Sequence, residues 1–105
     1  MNPTPRLSHL QFLVLGILLQ GSRPGRDVRD ELRRFGVKRS GPGFYQLMAR
    51  LEEAELVEGS YKQKIVEGQI IRERTYRLRG TGRTAWNQCR KFNENVIAEF
   101  GTSHA

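Results

Sequence analysis

The chain is poor in the residues that carry covalent and metal chemistry. Its 105 residues hold one cysteine, Cys89, and two histidines, His9 and His104. A single cysteine excludes an internal disulfide and a cysteine-based metal cluster, and it suits a reducing cytoplasm. The two histidines stand near opposite ends of the chain, so they offer no ligand spacing. No P-loop, nucleophile elbow or carboxylate pair is present, and neither an enzyme nor a cofactor or metal is expected. Acidic residues are also scarce, 11 against 18 Lys and Arg, for a net charge of +7. That balance suits a polyanionic partner, either nucleic acid or an anionic membrane surface. Long apolar runs are missing: LQFLVLGILL, Leu10 to Leu19, falls well short of the roughly 20 residues that cross a bilayer. The first residues, MNPTPRLSH, lack the pattern of a signal peptide. A cytoplasmic protein without membrane contact is expected.

What is present reads as a short series of elements. Ser8 can cap a first helix that Gly21 ends, and Gly16 within it costs about 1 kcal/mol relative to alanine. A glycine accepted there points to close approach by another element. SRPG reads as a turn, followed by a second helix in which Val28, Leu32 and Phe35 form a narrow apolar stripe. Asp27, Asp30 and Glu31 precede Arg33 and Arg34, as the helix dipole favours, and Gly36 closes the helix. In RSGPGFYQLMARLEEAE, Ser40 is the cap, Pro42 lies just inside, and Phe44, Leu47, Met48 and Leu51 recur at helical spacing to about Glu55. The period then changes. YKQKIVEGQIIRERTYRLR predicts a hairpin about Glu67-Gly68, with Ile70, Tyr76 and Leu78 sharing one face with Arg72 and Arg74 and with a tip that leaves the core. After Thr81 a fourth helix runs to about Phe100, and GTSHA reads as a frayed tail.

This order predicts a mainly α chain with a small β-hairpin (α+β), a winged helix-turn-helix whose second and third helices are joined by GVKRSG. Residues 1–80 would form the DNA-binding domain. Residues 81–105 would add a dimerisation helix and a short tail to the same compact unit. With Phe44, Leu47, Met48 and Leu51 turned inward, the opposite side of the third helix presents Tyr45, Gln46 and Arg50. Gln can bond adenine and Arg guanine in a bidentate manner. Ser40, Tyr45, Gln46 and Arg50 are therefore the expected base-reading residues. Lys38, Arg39, Lys62, Lys64, Arg72 and Arg74 are expected on the phosphate backbone of double-stranded DNA. Roughly six phosphate contacts per protomer correspond to a log–log salt slope of about −5. Glu52, Glu53, Glu55 and Glu58 gather beyond the far end of the helix, so its N-terminal half is the half expected to enter a groove.

Three segments resemble the PadR-like transcriptional regulators over about residues 7 to 83. LQFLVLGILLQG is similar to that family's opening helix. SGPGFYQLMARLEEAELVE resembles its recognition segment through Ser40, Tyr45, Leu51 and Glu52. RTYRLRGTGR resembles its closing motif through Arg74, Tyr76, Leu78, Gly82 and Arg83. The resemblance implies a dimeric repressor that binds an inverted-repeat operator and dimerises through its last helix, often with release by a small-molecule effector. Trp86, Cys89, Phe92, Val96, Ile97 and Phe100 form a broad apolar stripe there and are the expected homodimer interface. The alternative is that this stripe packs on the first helix of its own chain.

The chain departs from the family pattern at Arg26, where a tyrosine is common, and at Arg79, where a threonine often caps. Gly80-Thr81-Gly82 accordingly reads as a loose start to the fourth helix. Glu55 replaces a glycine, so the third helix is expected to end without the easy left-handed cap. Two other functions compete with specific DNA recognition, a winged helix that binds protein and a non-specific DNA-binding protein. The basic hairpin favours DNA over the former, and dependence on Gln46 and Arg50 separates the latter. Exposure of Cys89 at a dimer interface would make it a candidate redox sensor.

Overall fold

Capping fixes where the first helix begins. In the computed structural model, which describes residues 6–101, Ser8 accepts a hydrogen bond from the Gln11 N–H and Gln11 answers to the Ser8 N–H, a full capping box. Helix α1 then spans His9–Leu18, and Gly21, with φ of 140°, turns the chain out of it. The expected tail beyond Gly101, with His104, lies outside the described residues. Arg23–Pro24 forms a short strand, β1, where the sequence predicted only a turn. It pairs antiparallel with a later strand, Arg23 opposite Tyr76 and Pro24 opposite Thr75. Two residues are too few to display a period, and proline is admitted at a sheet edge because it needs no ladder N–H.

Helices α2, Gly25–Arg34, and α3, Gly41–Glu53, follow. Both end in the same way. After α2, Gly36 takes a left-handed φ of 82°, its N–H bonds the Arg33 carbonyl, and the Val37 N–H reaches back to Leu32. After α3, Glu55 does this with φ of 61°, its N–H on Glu52 and the Leu56 N–H on Leu51. Glu55 therefore supplies the left-handed cap that the sequence did not lead one to expect. The following segments satisfy its backbone: the Thr81 hydroxyl donates to the Glu55 carbonyl, and the Arg79 N–H donates to that of Leu56.

Strands β2, Val57–Val66, and β3, Gln69–Leu78, form the hairpin, so the sheet has three strands in the order β1-β3-β2. Glu67 and Gly68 both have positive φ, 52° and 79°, giving the tight two-residue turn that the sequence indicated. Helix α4 spans Gly80–Phe100. Its start is not loose. Gly82 is buried against the Leu56 carbonyl and the Leu78 side chain, with no room for a Cβ.

The core is contributed by α1, α2, α3, β2 and β3, with Trp86 of α4 packed against it. Val14, Leu15 and Leu18 of α1 meet Val28 and Leu32 of α2, Phe44, Met48 and Leu51 of α3, and Val57, Tyr76 and Leu78 of the sheet. Phe35, placed by periodicity on the apolar stripe of α2, is instead 58% exposed at the helix end, beneath the Arg34 guanidinium. Among the described residues, no helix is long and apolar enough to cross a membrane.

Candidate nucleic-acid interface

Ser40 sets the entry to α3. Its hydroxyl accepts the Gly43 N–H at 3.1 Å, and Phe44 N–H bonds its carbonyl. Pro42 has no N–H, so little donor capacity remains in this first turn for an anion. Arg29, a residue the sequence reading passed over, steadies the preceding turn: its guanidinium donates to the Arg39 carbonyl at 3.0 Å and lies over the Phe44 ring. A cation at helical spacing from α2's core residues carries no mark of that long-range contact.

With Phe44, Met48 and Leu51 fully buried, the outer face of α3 is forced outward. Tyr45, Gln46 and Arg50 are exposed, and Gln46 and Arg50 stand one turn apart. Lys38, Arg39 and Ser40 are exposed at its entrance. Of the residues expected to read bases, the helix thus brings together Tyr45, Gln46 and Arg50, whereas Ser40 already serves as the cap.

The hairpin cations divide into two groups. Arg74 is paired to Glu52 of α3, and burial of its guanidinium is outweighed by the hydrogen bond and charge of Glu52, which hold its pKa above the ordinary value. Lys64 is paired at 3.1 Å to Glu73, which also meets Arg26 at 3.4 Å. Lys62 and Arg72 are exposed and, among the described residues, make no ion pair; the Arg72 guanidinium rests 4.5 Å from the centre of the Tyr61 ring. Tyr45 of α3 and Tyr61, Arg72, Arg74 and Tyr76 of the hairpin line one hollow of about 530 Å³. The helix and wing therefore face a common space. Tyr76, buried against Phe44 with ring centres 6.4 Å apart, anchors it. Burial, only partly offset by the adjacent Arg74, pushes its hydroxyl up to about 12.

The expected interface on α4 also divides. Trp86 lies against Gly16, where an added Cβ would sit 3.1 Å from the indole nitrogen, so the close approach read from Gly16 is present. The indole stacks on Phe12 with ring centres 5.3 Å apart, and its buried N–H has no partner among the described residues. Cys89 is buried as well. The inner part of the stripe thus packs on its own chain. Beyond it, Phe92, Val96, Ile97 and Phe100 are exposed, the last by 79%. Beside Trp86, a groove of about 360 Å³ runs between α1 and α2, with Phe12, Phe35, Glu31 and Arg34 among its walls.

No protein-family model matches the chain, and no curated protein sequence matches it. Solved structures do. A PadR family transcription regulator from Clostridium difficile aligns over 90% of this chain and 100% of its own, at 19% identity and a TM-score of 0.70. A padr family transcriptional regulator from Eggerthella lenta aligns over 88% of this chain and 78% of its own, at 21% identity and a TM-score of 0.69. Bacillus subtilis PadR, in complex with operator DNA, aligns over 76% of this chain and 45% of its own, at 17% identity and a TM-score of 0.62. The fold is the winged helix that these regulators share.

Proposed function

We propose that this protein is a PadR-like, sequence-specific DNA-binding transcriptional regulator. The observation that carries the proposal is the hollow between α3 and the wing, which Tyr45 of the helix and Arg72 of the hairpin both line; Gln46 and Arg50 are exposed on the same helix and Lys62 on the same hairpin. In this reading Gln46 and Arg50 read base edges, with Tyr45 beside them. Lys38, Arg39, Lys62 and Arg72 contact phosphates. Lys64 and Arg74, expected at first among the phosphate contacts, are held by Glu73 and Glu52 and contribute less. Bacillus subtilis PadR with operator DNA shows this fold on a duplex.

The protein acts as a homodimer in this proposal. Residues 91–100 of α4 are all exposed in one chain, and an isolated half-helix of that length is marginal in water. Phe92, Val96, Ile97 and Phe100 give it an apolar face that a second copy would cover. Residues 81–105 then serve as the dimerisation segment of the same compact unit. An inverted-repeat operator follows from such symmetry, and the repressor role rests on the family resemblance. A small-molecule effector would enter the groove beside Trp86.

Selection from a random duplex pool at roughly physiological salt tests this reading. Enrichment of an inverted repeat, with half-sites about one helical turn apart, is the expected result. Retention without enrichment would leave only phosphate binding. Failure to retain any duplex would turn the reading to a protein-binding winged helix.

A further inference from the structure

The tip of the wing is apolar, which its surroundings do not explain. Ile65 and Ile70 are cross-strand partners beside the Glu67-Gly68 turn and are 75% and 69% exposed. Val66 and Ile71 flank them, also exposed. Ile70 stands six positions before Tyr76, the nearest core residue on its face of β3, a separation of roughly 20 Å. These side chains therefore add nothing to the core, and exposed β-branched aliphatics at a strand end favour association. A chain of net charge +7 carries them at the turn end of its hairpin.

The register indicates what they face. Alternation places Ile65 and Ile70 on the same side of the hairpin as Gln63 and Arg72, then Tyr61 and Arg74, the side that looks into the hollow shared with Tyr45. The apolar pair lies four residues beyond Tyr61, about 13 Å. Below the tip Lys62 and Arg72 are exposed and, among the described residues, make no ion pair, Arg72 on the side of the apolar pair and Lys62 on the other, whereas Lys64 is paired to Glu73. The two unpaired cations suit a polyanion.

We propose that Ile65 and Ile70 form a wedge that enters the groove next to the one occupied by α3, unstacks a base step and bends the duplex. This rests on the DNA-binding reading above. Aliphatic wedges inserted from the minor groove bend duplexes in this way. The tight turn keeps the tip narrow, and the cations behind it hold the backbones that the wedge pushes apart.

The test uses the full chain and a duplex retained in the pool selection, labelled at its two ends for energy transfer. A matching set carries, at successive positions, a fluorescent purine analogue that brightens on unstacking. Binding should shorten the end-to-end distance and brighten the analogue at one step. The Ile65→Thr, Ile70→Thr double variant keeps β-branching and should melt like the parent. It should abolish both signals and weaken binding about tenfold, with the salt slope unchanged. A bound duplex that stays straight and dark would overturn the wedge while leaving the DNA-binding reading intact. So would a double variant that bends DNA like the parent. Loss of self-association in the double variant, with bending unchanged, would make the tip a contact between copies and also overturn the wedge. If no duplex binds at all, the DNA-binding reading itself fails and the wedge falls with it.

Discussion

Arg74 Nη2 lies 2.9 Å from both carboxylate oxygens of Glu52, which ties the last turn of α3 to the base of the wing. The two side chains are about a quarter exposed, 26% and 27%. Gly59 lies beneath them, and an added Cβ there would come within 2.7 Å of the guanidinium. The pair therefore braces the helix against the wing, beside the packing of Phe44 on Tyr76. Glu52→Gln should destabilise the fold by about 1 to 2 kcal/mol, between the values typical of exposed and buried pairs. Urea unfolding checks this. Arg74→Ala should lose stability by a similar amount, so its effect on DNA binding will not report a phosphate contact alone.

Gln46 and Arg50 can be separated from the wing by what each loss does to different duplexes. Arg50→Ala should weaken the selected operator by about 1 to 3 kcal/mol and relax one base position. Lys62→Ala should weaken selected and random duplexes alike and lower the salt slope by about one. Titrations of both variants against both duplexes over a range of salt would show the contrast. Equal losses on both duplexes for both variants would remove the division into reading and gripping residues.

Glu55 holds a left-handed φ of 61° at the end of α3, where α2 uses Gly36 for the same turn. A residue with a Cβ pays about 1 to 2 kcal/mol for that conformation. Glycine recovers it at the cost of some entropy in the unfolded chain. Glu55→Gly should therefore raise the thermal midpoint, with a net gain of about 1 kcal/mol. The hydroxyl of Thr81 still holds the residue's carbonyl in the variant.

Tyr76 gives the fold a dependence on alkaline pH. Its hydroxyl ionises near 12 in the folded protein and near 10 when the chain is unfolded. The folded state thus keeps its proton longer, and the associated stability is complete below pH 10 and declines as pH rises towards 12. Tyr76→Phe should flatten that decline. Phenolate absorbance during an alkaline titration, compared between parent and variant, identifies the late-titrating group.

The readable parts of the fold were local ones. Ser8 and Ser40 cap helices through bonds to residues three positions away, and Glu67-Gly68 forms a turn from its own dihedral preferences. Gly16 also signalled its neighbour, because a glycine inside an apolar helix needs a reason. Features that depend on distant partners were not legible. Strand β1 exists only because β3 lies beside it, and Phe35 is exposed because the chain turns out of the helix at that point. Lys64 and Arg74 look like free cations in the sequence, since Glu73 and Glu52 are brought to them by strand pairing and helix packing. The apolar stripe of α4 could be seen, but the division after Cys89 could not, because it depends on where α1 stops covering it.

Trp86 is the only tryptophan in the chain, and it sits in the joint between α1 and α4. Every change in the seating of the last helix therefore passes through one chromophore. Its stacking on Phe12 and its buried N–H give that chromophore a defined starting state. Wetting of the joint would redden and dim the emission, whereas a ligand acceptor on the N–H would shift it without admitting water. The protein thus carries its own optical gauge of how the fourth helix is seated on the first.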